Sequence, residues 1–129
     1  MWPYNIQNNA QWIYVFGKNH TPKNINISYA IFENQSMRLK LNSPIEPDHC
    51  PSKWTDKGYN EFEFELLLDQ VNSITINEFN FSGPICIFIE KNKIDHEIHL
   101  KTLDNCITKC TARGVYISNI KAYHNDHSE

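Results

Sequence analysis

Residues 60–68 read Asn-Glu-Phe-Glu-Phe-Glu-Leu-Leu-Leu. On an extended chain successive side chains point to opposite faces, so Phe62, Phe64, Leu66 and Leu68 share one face and Glu61, Glu63 and Glu65 share the other. Such a segment is a half-buried strand. It requires a sheet with one apolar face against a core and one polar face in water, and it sets three carboxylates on a single outer surface.

The rest of the chain supplies partners for that strand. Residues 24–31 put Ile25, Ile27, Tyr29 and Ile31 on one side and Asn24, Asn26 and Ser28 on the other. After the polar turn at 33–36, residues 37–41 repeat the period of two, so residues 24–41 read as a β-hairpin. Residues 71–81 and 85–90 give two more strands across the Ser82-Gly83-Pro84 turn signal. Residues 85–89, apolar throughout and including Cys86, read as a central strand with a buried thiol. Residues 95–100 alternate weakly, and residues 115–123 form a last strand after a turn at Arg113-Gly114. Periodicity leaves residues 8–18 and 105–112 open between helix and strand. Residues 43–58 carry Pro44, Pro47 and Pro51 and read as a long loop, because proline removes ladder donors. Long ordered loops are often functional.

A chain of 129 residues is one domain's worth. The expected fold is therefore a single, mainly β domain: an antiparallel sandwich or rolled sheet of about seven or eight strands with at most one or two short helices. Its expected core holds Ile27, Ile31, Leu39, Phe62, Phe64, Leu66, Ile74, Ile76 and Ile87, with residues 1–10 and 124–129 as flexible ends.

Little catalytic chemistry is legible. The four glycines are isolated, so no glycine-rich phosphate cradle can form. His49, Cys50, His96, His99, Cys106 and Cys110 are the conceivable metal ligands, but His96 and His99 would face opposite ways on a strand, and Cys106 and Cys110 would stand roughly 13 Å apart if extended. No metal or cofactor is expected, and the cysteines should all be reduced. Adjacency of His49 and Cys50 fixes neither the distance nor the orientation that thiolate activation needs. No nucleophile elbow surrounds a serine. The expectation is a protein that is not an enzyme.

Charge is more informative. The net charge of −3 disfavours a nucleic-acid binder. Residues 41–78 carry Glu46, Asp48, Asp56, Glu61, Glu63, Glu65, Asp69 and Glu78 against only Lys53 and Lys57, so the acidity is concentrated in this stretch. Glutamates on an exposed strand face also serve plain solubility; a docking surface for a basic partner is the functional alternative. The N-terminus shows neither a basic n-region nor an apolar h-region, and the longest apolar runs are about five residues against the roughly 20 a membrane span requires. A cytoplasmic protein with no membrane partner is expected.

Four segments carry a family likeness: Pro51-Ser52-Lys53-Trp54, the strand at 60–68, the run Val71-Asn72-Ser73-Ile74-Thr75-Ile76-Asn77-Glu78-Phe79, and the closing Ile117-Ser118-Asn119-Ile120-Lys121-Ala122-Tyr123. Together they resemble the immunity proteins of bacterial polymorphic-toxin and contact-dependent inhibition systems, and they are most similar to the family called immunity protein 50. The likeness spans about residues 12–123. It implies a protein that binds one cognate toxin domain and blocks it stoichiometrically without chemistry of its own. Many such toxins are nucleases, and a nuclease that grips phosphate is cationic. The candidate partner-binding residues are then Glu46, Asp48, Asp56, Glu61, Glu63, Glu65 and Asp69, with Trp54 and Tyr59 as aromatic anchors. The rival expectation is a β-sandwich module for carbohydrate or another small ligand, stacking on Trp2, Trp12 or Trp54. The oligomeric state is open.

Overall fold

The computed structural model describes residues 2–126. Six strands, β1 (Asn26–Glu33), β2 (Ser36–Pro44), β3 (Glu61–Asn77), β4 (Gly83–Lys91), β5 (His96–Thr102) and β6 (Ile107–Tyr123), form one sheet. Their order is β1-β2-β3-β6-β5-β4, every neighbouring pair is antiparallel, and the sheet closes through a short β1–β4 contact at Asn26–Pro84 and Ile27–Gly83. Of the two expected forms the sheet takes the rolled one, a closed barrel.

The alternation that defines residues 60–68 organises this barrel. Phe62, Phe64, Leu66 and Leu68 are all buried, and β2 sets Leu41 opposite Phe64, Leu39 opposite Leu66 and Met37 opposite Leu68. On the other side β6 places Ile117 opposite Leu66 and Val115 opposite Leu68. β5 adds Ile98 and Leu100. These inward rows make one continuous core.

The strand count is six because β3 and β6 run 17 residues each. Sequence reading divides both. β3 passes through Asp69-Gln70 by taking Gln70 to a positive φ of 49° and bulging between Val71 and Ser73, which bends the strand without ending it. β6 passes straight through Arg113-Gly114. Gly114 is there for space: a Cβ would lie 2.6 Å from the Tyr116 ring and 2.9 Å from Gln7 Oε1. The stretch 105–112, open on periodicity, belongs almost entirely to β6.

The expected core needs correction at Ile31, Ile74 and Ile76. A bulge between Ile27 and Tyr29 turns the second half of β1 over, so Ile27 is buried while Tyr29 and Ile31 are exposed and Ala30 packs on the core instead. Ile74 sits opposite the buried Cys110 but beyond the end of β2, where nothing covers it, and is 37% exposed; Ile76 and Ile87 are half-buried. β4 is not a central strand buried on both faces. It alternates, with Ile85 and Ile89 inward and Cys86 and Phe88 exposed.

At the N-terminus the described residues are packed against the sheet. A 3₁₀ turn, Trp2–Asn5, leads into helix α1 (Asn9–Phe16), and Trp2, Ile6, Trp12 and Phe16 are buried. The i, i+4 pair Trp12 and Phe16 gives α1 an apolar face that plugs one end of the barrel. There the rings of Trp2, Trp12, Phe16, Trp54, Phe62 and Phe64 pack at centroid separations of 4.4–6.0 Å. Of the expected flexible end at 124–129, residues 127–129 lie outside the described residues.

Candidate functional site

The connection from β2 to β3 holds five of the candidate binding residues. It is more structured than its prolines suggest: a 3₁₀ turn, Pro47–His49, precedes helix α2 (Ser52–Asp56). Pro51 enters α2 with its fixed φ, and Gly58, at a φ of 76°, reverses the chain after it. α2 turns Trp54 inward against Phe16 and Phe62, which leaves Asp48 and Asp56 exposed and Tyr59 half-buried. Trp54 thus lids the aromatic plug and is not presented as a surface anchor.

Between α1 and α2 runs an open groove of about 700 Å³ whose walls include Tyr14, Val15, Asp48, His49, Lys53 and Trp54. Tyr14 is 91% exposed on the face of α1 opposite Trp12 and Phe16. No sequence expectation named it. Reading residues 9–16 as a helix would have found it, because it is the one aromatic residue off the buried face.

Glu46 is committed elsewhere. Its Oε2 lies 3.4 Å from Nε2 of His20, a buried imidazole whose ring stacks on His49 at 4.5 Å. Burial holds the His20 pKa below its ordinary value; Glu46 opposes this, while His49 and Lys23 add to it. The unfolded chain therefore binds the proton more readily. Stability carried by neutral His20 is complete above about pH 6.5 and is lost as pH falls through the lowered folded value. The urea midpoint should drop between pH 7 and 5.5, and His20→Gln should flatten that slope. An unchanged slope in the variant would assign the pH dependence to another group.

Glu61, Glu63 and Glu65 lie on the outer face of β3, each half-exposed and each engaged. Asn125 Nδ2 donates to Glu61 at 2.6 Å and the Tyr123 hydroxyl donates to the same carboxylate; burial, and after it that bond, push the Tyr123 pKa up. Lys40 Nζ lies 3.2 Å from Glu63, and Asn119 Nδ2 donates to Glu65 at 2.8 Å. The register also sets Lys121 opposite Glu63. The ridge is thus less acidic than residues 41–78 alone imply, because β2 and β6 bring cations to it. Asp69 stands apart: eight residues from Glu61 along one strand, it is roughly 27 Å away.

Among the described residues no group of three or more His, Cys, Asp or Glu side chains could hold a metal. His49 does not activate Cys50. Its ring is taken up by His20, and burial together with Asp48 raises the Cys50 pKa, which keeps the thiol protonated. All four cysteines are free; Cys86 is exposed, while Cys106 and Cys110 are buried, with burial pushing Cys110 up to about 11. A thiol reagent should label Cys86 quickly in the native protein, and Cys106 and Cys110 only after unfolding. Fewer than four thiols in denatured protein would reveal a disulfide that this geometry lacks. No helix among the described residues is long and apolar enough to cross a membrane.

The family model for immunity protein 50 matches residues 8–123, nearly the whole chain. Neither a curated protein nor a solved structure gives a significant match.

Proposed function

Because this chain belongs to the immunity protein 50 family, we propose that it binds one cognate toxin domain in the cytoplasm of the producing cell and neutralises it by stoichiometric occlusion. The observation that carries this reading is the match across residues 8–123. The toxin is a basic nuclease. It docks on the acidic connection and the adjoining ridge, meeting Asp48, Asp56, Tyr59, Glu61, Glu63 and Glu65, with Tyr14 beside them in the groove. Support comes from the exposed Asp48 and Asp56, and from Glu61 standing where that connection enters β3. Oriented carboxylates steer a cationic partner during encounter and contribute less once it is seated.

The test is the salt dependence of association between the purified chain and the toxin domain. Charges beyond a Debye length of about 8 Å are screened at physiological salt, so the on-rate should fall steeply as salt rises while the off-rate changes little. An on-rate indifferent to salt would remove the acidic surface from the account and leave family membership untouched. The small-ligand alternative loses its platform, because Trp2, Trp12 and Trp54 are 6%, 1% and 8% exposed.

A further inference from the structure

Among the described residues four strand edges in this barrel lack a strand partner over part of their length. One is β1 beyond Ile27, which carries a bulge and Glu33 and has Phe81 packed on Phe32. Two others receive hydrogen bonds from the N-terminal segment. β6 loses β5 after the His96–Ala112 pair, and the exposed backbone is taken up by the N-terminal segment: Gln7 N–H donates to the Val115 carbonyl at 2.8 Å, Gln7 Oε1 accepts from Val115 N–H at 2.8 Å, and Asn8 bonds both the N–H and the carbonyl of Ile117 at 2.8 and 2.6 Å. β4 receives Asn5 Nδ2 on the Ile89 carbonyl at 2.7 Å. The fourth edge belongs to β3. β2 ends at Ser36, and after Val71 N–H donates to the Gln35 carbonyl the side of β3 away from β6 has no strand beside it from Asn72 to Asn77.

This bare edge reads Asn-Ser-Ile-Thr-Ile-Asn. From Ser73 to Asn77, past the bulge at Asn72, it carries no charge, no proline and no further bulge, the devices by which proteins usually blunt an edge. Positive φ values at Gln70 and Glu78 bracket it, so it is a discrete extended segment. Its side chains are exposed except for the half-buried Ile76, and Phe79, 72% exposed, lies just beyond it.

The order of residues selects the occupant. In an antiparallel pair, opposed residues point to the same face. If two copies of this edge meet about a two-fold axis at Thr75, Ile74 opposes Ile76 of the partner subunit and Ile76 opposes Ile74 of the partner subunit. Thr75 then meets its own copy on the other face, and Ser73 meets Asn77 of the partner subunit. Apolar faces apolar, hydroxyl faces hydroxyl or amide, and no like charges are opposed. Shifting the axis to Ile74 would set Asn72 against Ile76, so the sequence favours one register. We infer that the β3 edge is a homodimerisation site, joining two barrels through an isologous antiparallel pairing centred on Thr75. Six residues and a flanking phenylalanine make a small interface, and the dimer dissociates with a Kd in the micromolar range, on the order of 10–100 µM.

Sedimentation velocity across that concentration range should show a reversible monomer–dimer equilibrium. Thr75 is exposed, so Thr75→Lys should keep the native circular dichroism spectrum while setting two cations on the axis, and should weaken dimerisation by about tenfold or more. Register has its own readout in a Cys86→Ser background. Thr75→Cys should oxidise to a covalent dimer, because directly opposed Cα atoms stand within disulfide reach, whereas Ser73→Cys, roughly 13 Å from its own copy, should not. Monomer at every concentration, or equal cross-linking of both cysteine variants, would overturn the proposal. A chain that is monomeric alone and loses toxin binding on Thr75→Lys would overturn it too, by giving the edge to a toxin strand. Loss of the dimer with toxin neutralisation intact would leave the proposed function standing, since the two rest on different surfaces.

Discussion

Truncating Phe64 to alanine is expected to cost about 3–5 kcal/mol, a large share of the roughly 5–15 kcal/mol that holds a domain of this size folded. Phe64 is 0% exposed, faces Leu41 across β2, and lies between the rings of Trp2, Trp12 and Phe62 at 6.0, 5.3 and 5.9 Å. Removing its ring opens a cavity where the N-terminal segment, α1 and β3 meet. Those neighbours are large and cannot collapse into it without leaving their rotamers. Ile74→Ala is the control: on the same strand but partly in solvent, it should cost under about 1 kcal/mol. Urea unfolding of both variants checks the pair. A neutral Phe64→Ala would mean that the faces of β3 have been assigned backwards.

The largest functional effect is expected on the ridge. Reversing Glu61, Glu63 and Glu65 to lysine together should abolish protection of a cell that expresses the toxin. Because Lys40 then loses its partner and Lys121 stands opposite a new cation, that variant also carries some destabilisation. The glutamine triple variant separates the causes: its amide oxygens still accept from Asn119 and Asn125, so folding should be retained while association at low salt slows by about tenfold. If the glutamine variant associates at the original rate and protects fully, the glutamates serve solubility and their bonds to β6, and the groove lined by Tyr14, Asp48 and Lys53 becomes the next surface to mutate.

What could be read from the sequence follows from which signals are local. The β3 alternation at 61–68 depends only on the two-residue period of an extended chain, and it identified the inner face there without error. Ile31 misled because a bulge after Ile27 reverses the face, and a bulge leaves no periodic trace. Gly114 misled because glycine marks a turn and a close approach with the same letter; here it clears the ring of Tyr116. Cys86 looked buried among isoleucines because an apolar run does not say whether one face or both are covered. The site suffered from the same limit. Residues 41–78 are acidic as a stretch, but Lys40 and Lys121 arrive on neighbouring strands and offset the ridge, which only register reveals. Trp54 entered as an anchor because tryptophan suits an interface and a lid equally well; the packing of α2 on Phe16 and Phe62 decides for the lid.

Occlusion is tested most simply by the growth of a host expressing a cognate toxin domain, with and without the chain co-expressed. Neutralisation by occlusion predicts that the toxin alone arrests growth, and that the chain restores it only when produced in at least equal amount to the toxin. Arrest that persists despite abundant folded chain would contradict the account, and so would rescue at amounts far below the toxin's, which would mean turnover in place of binding.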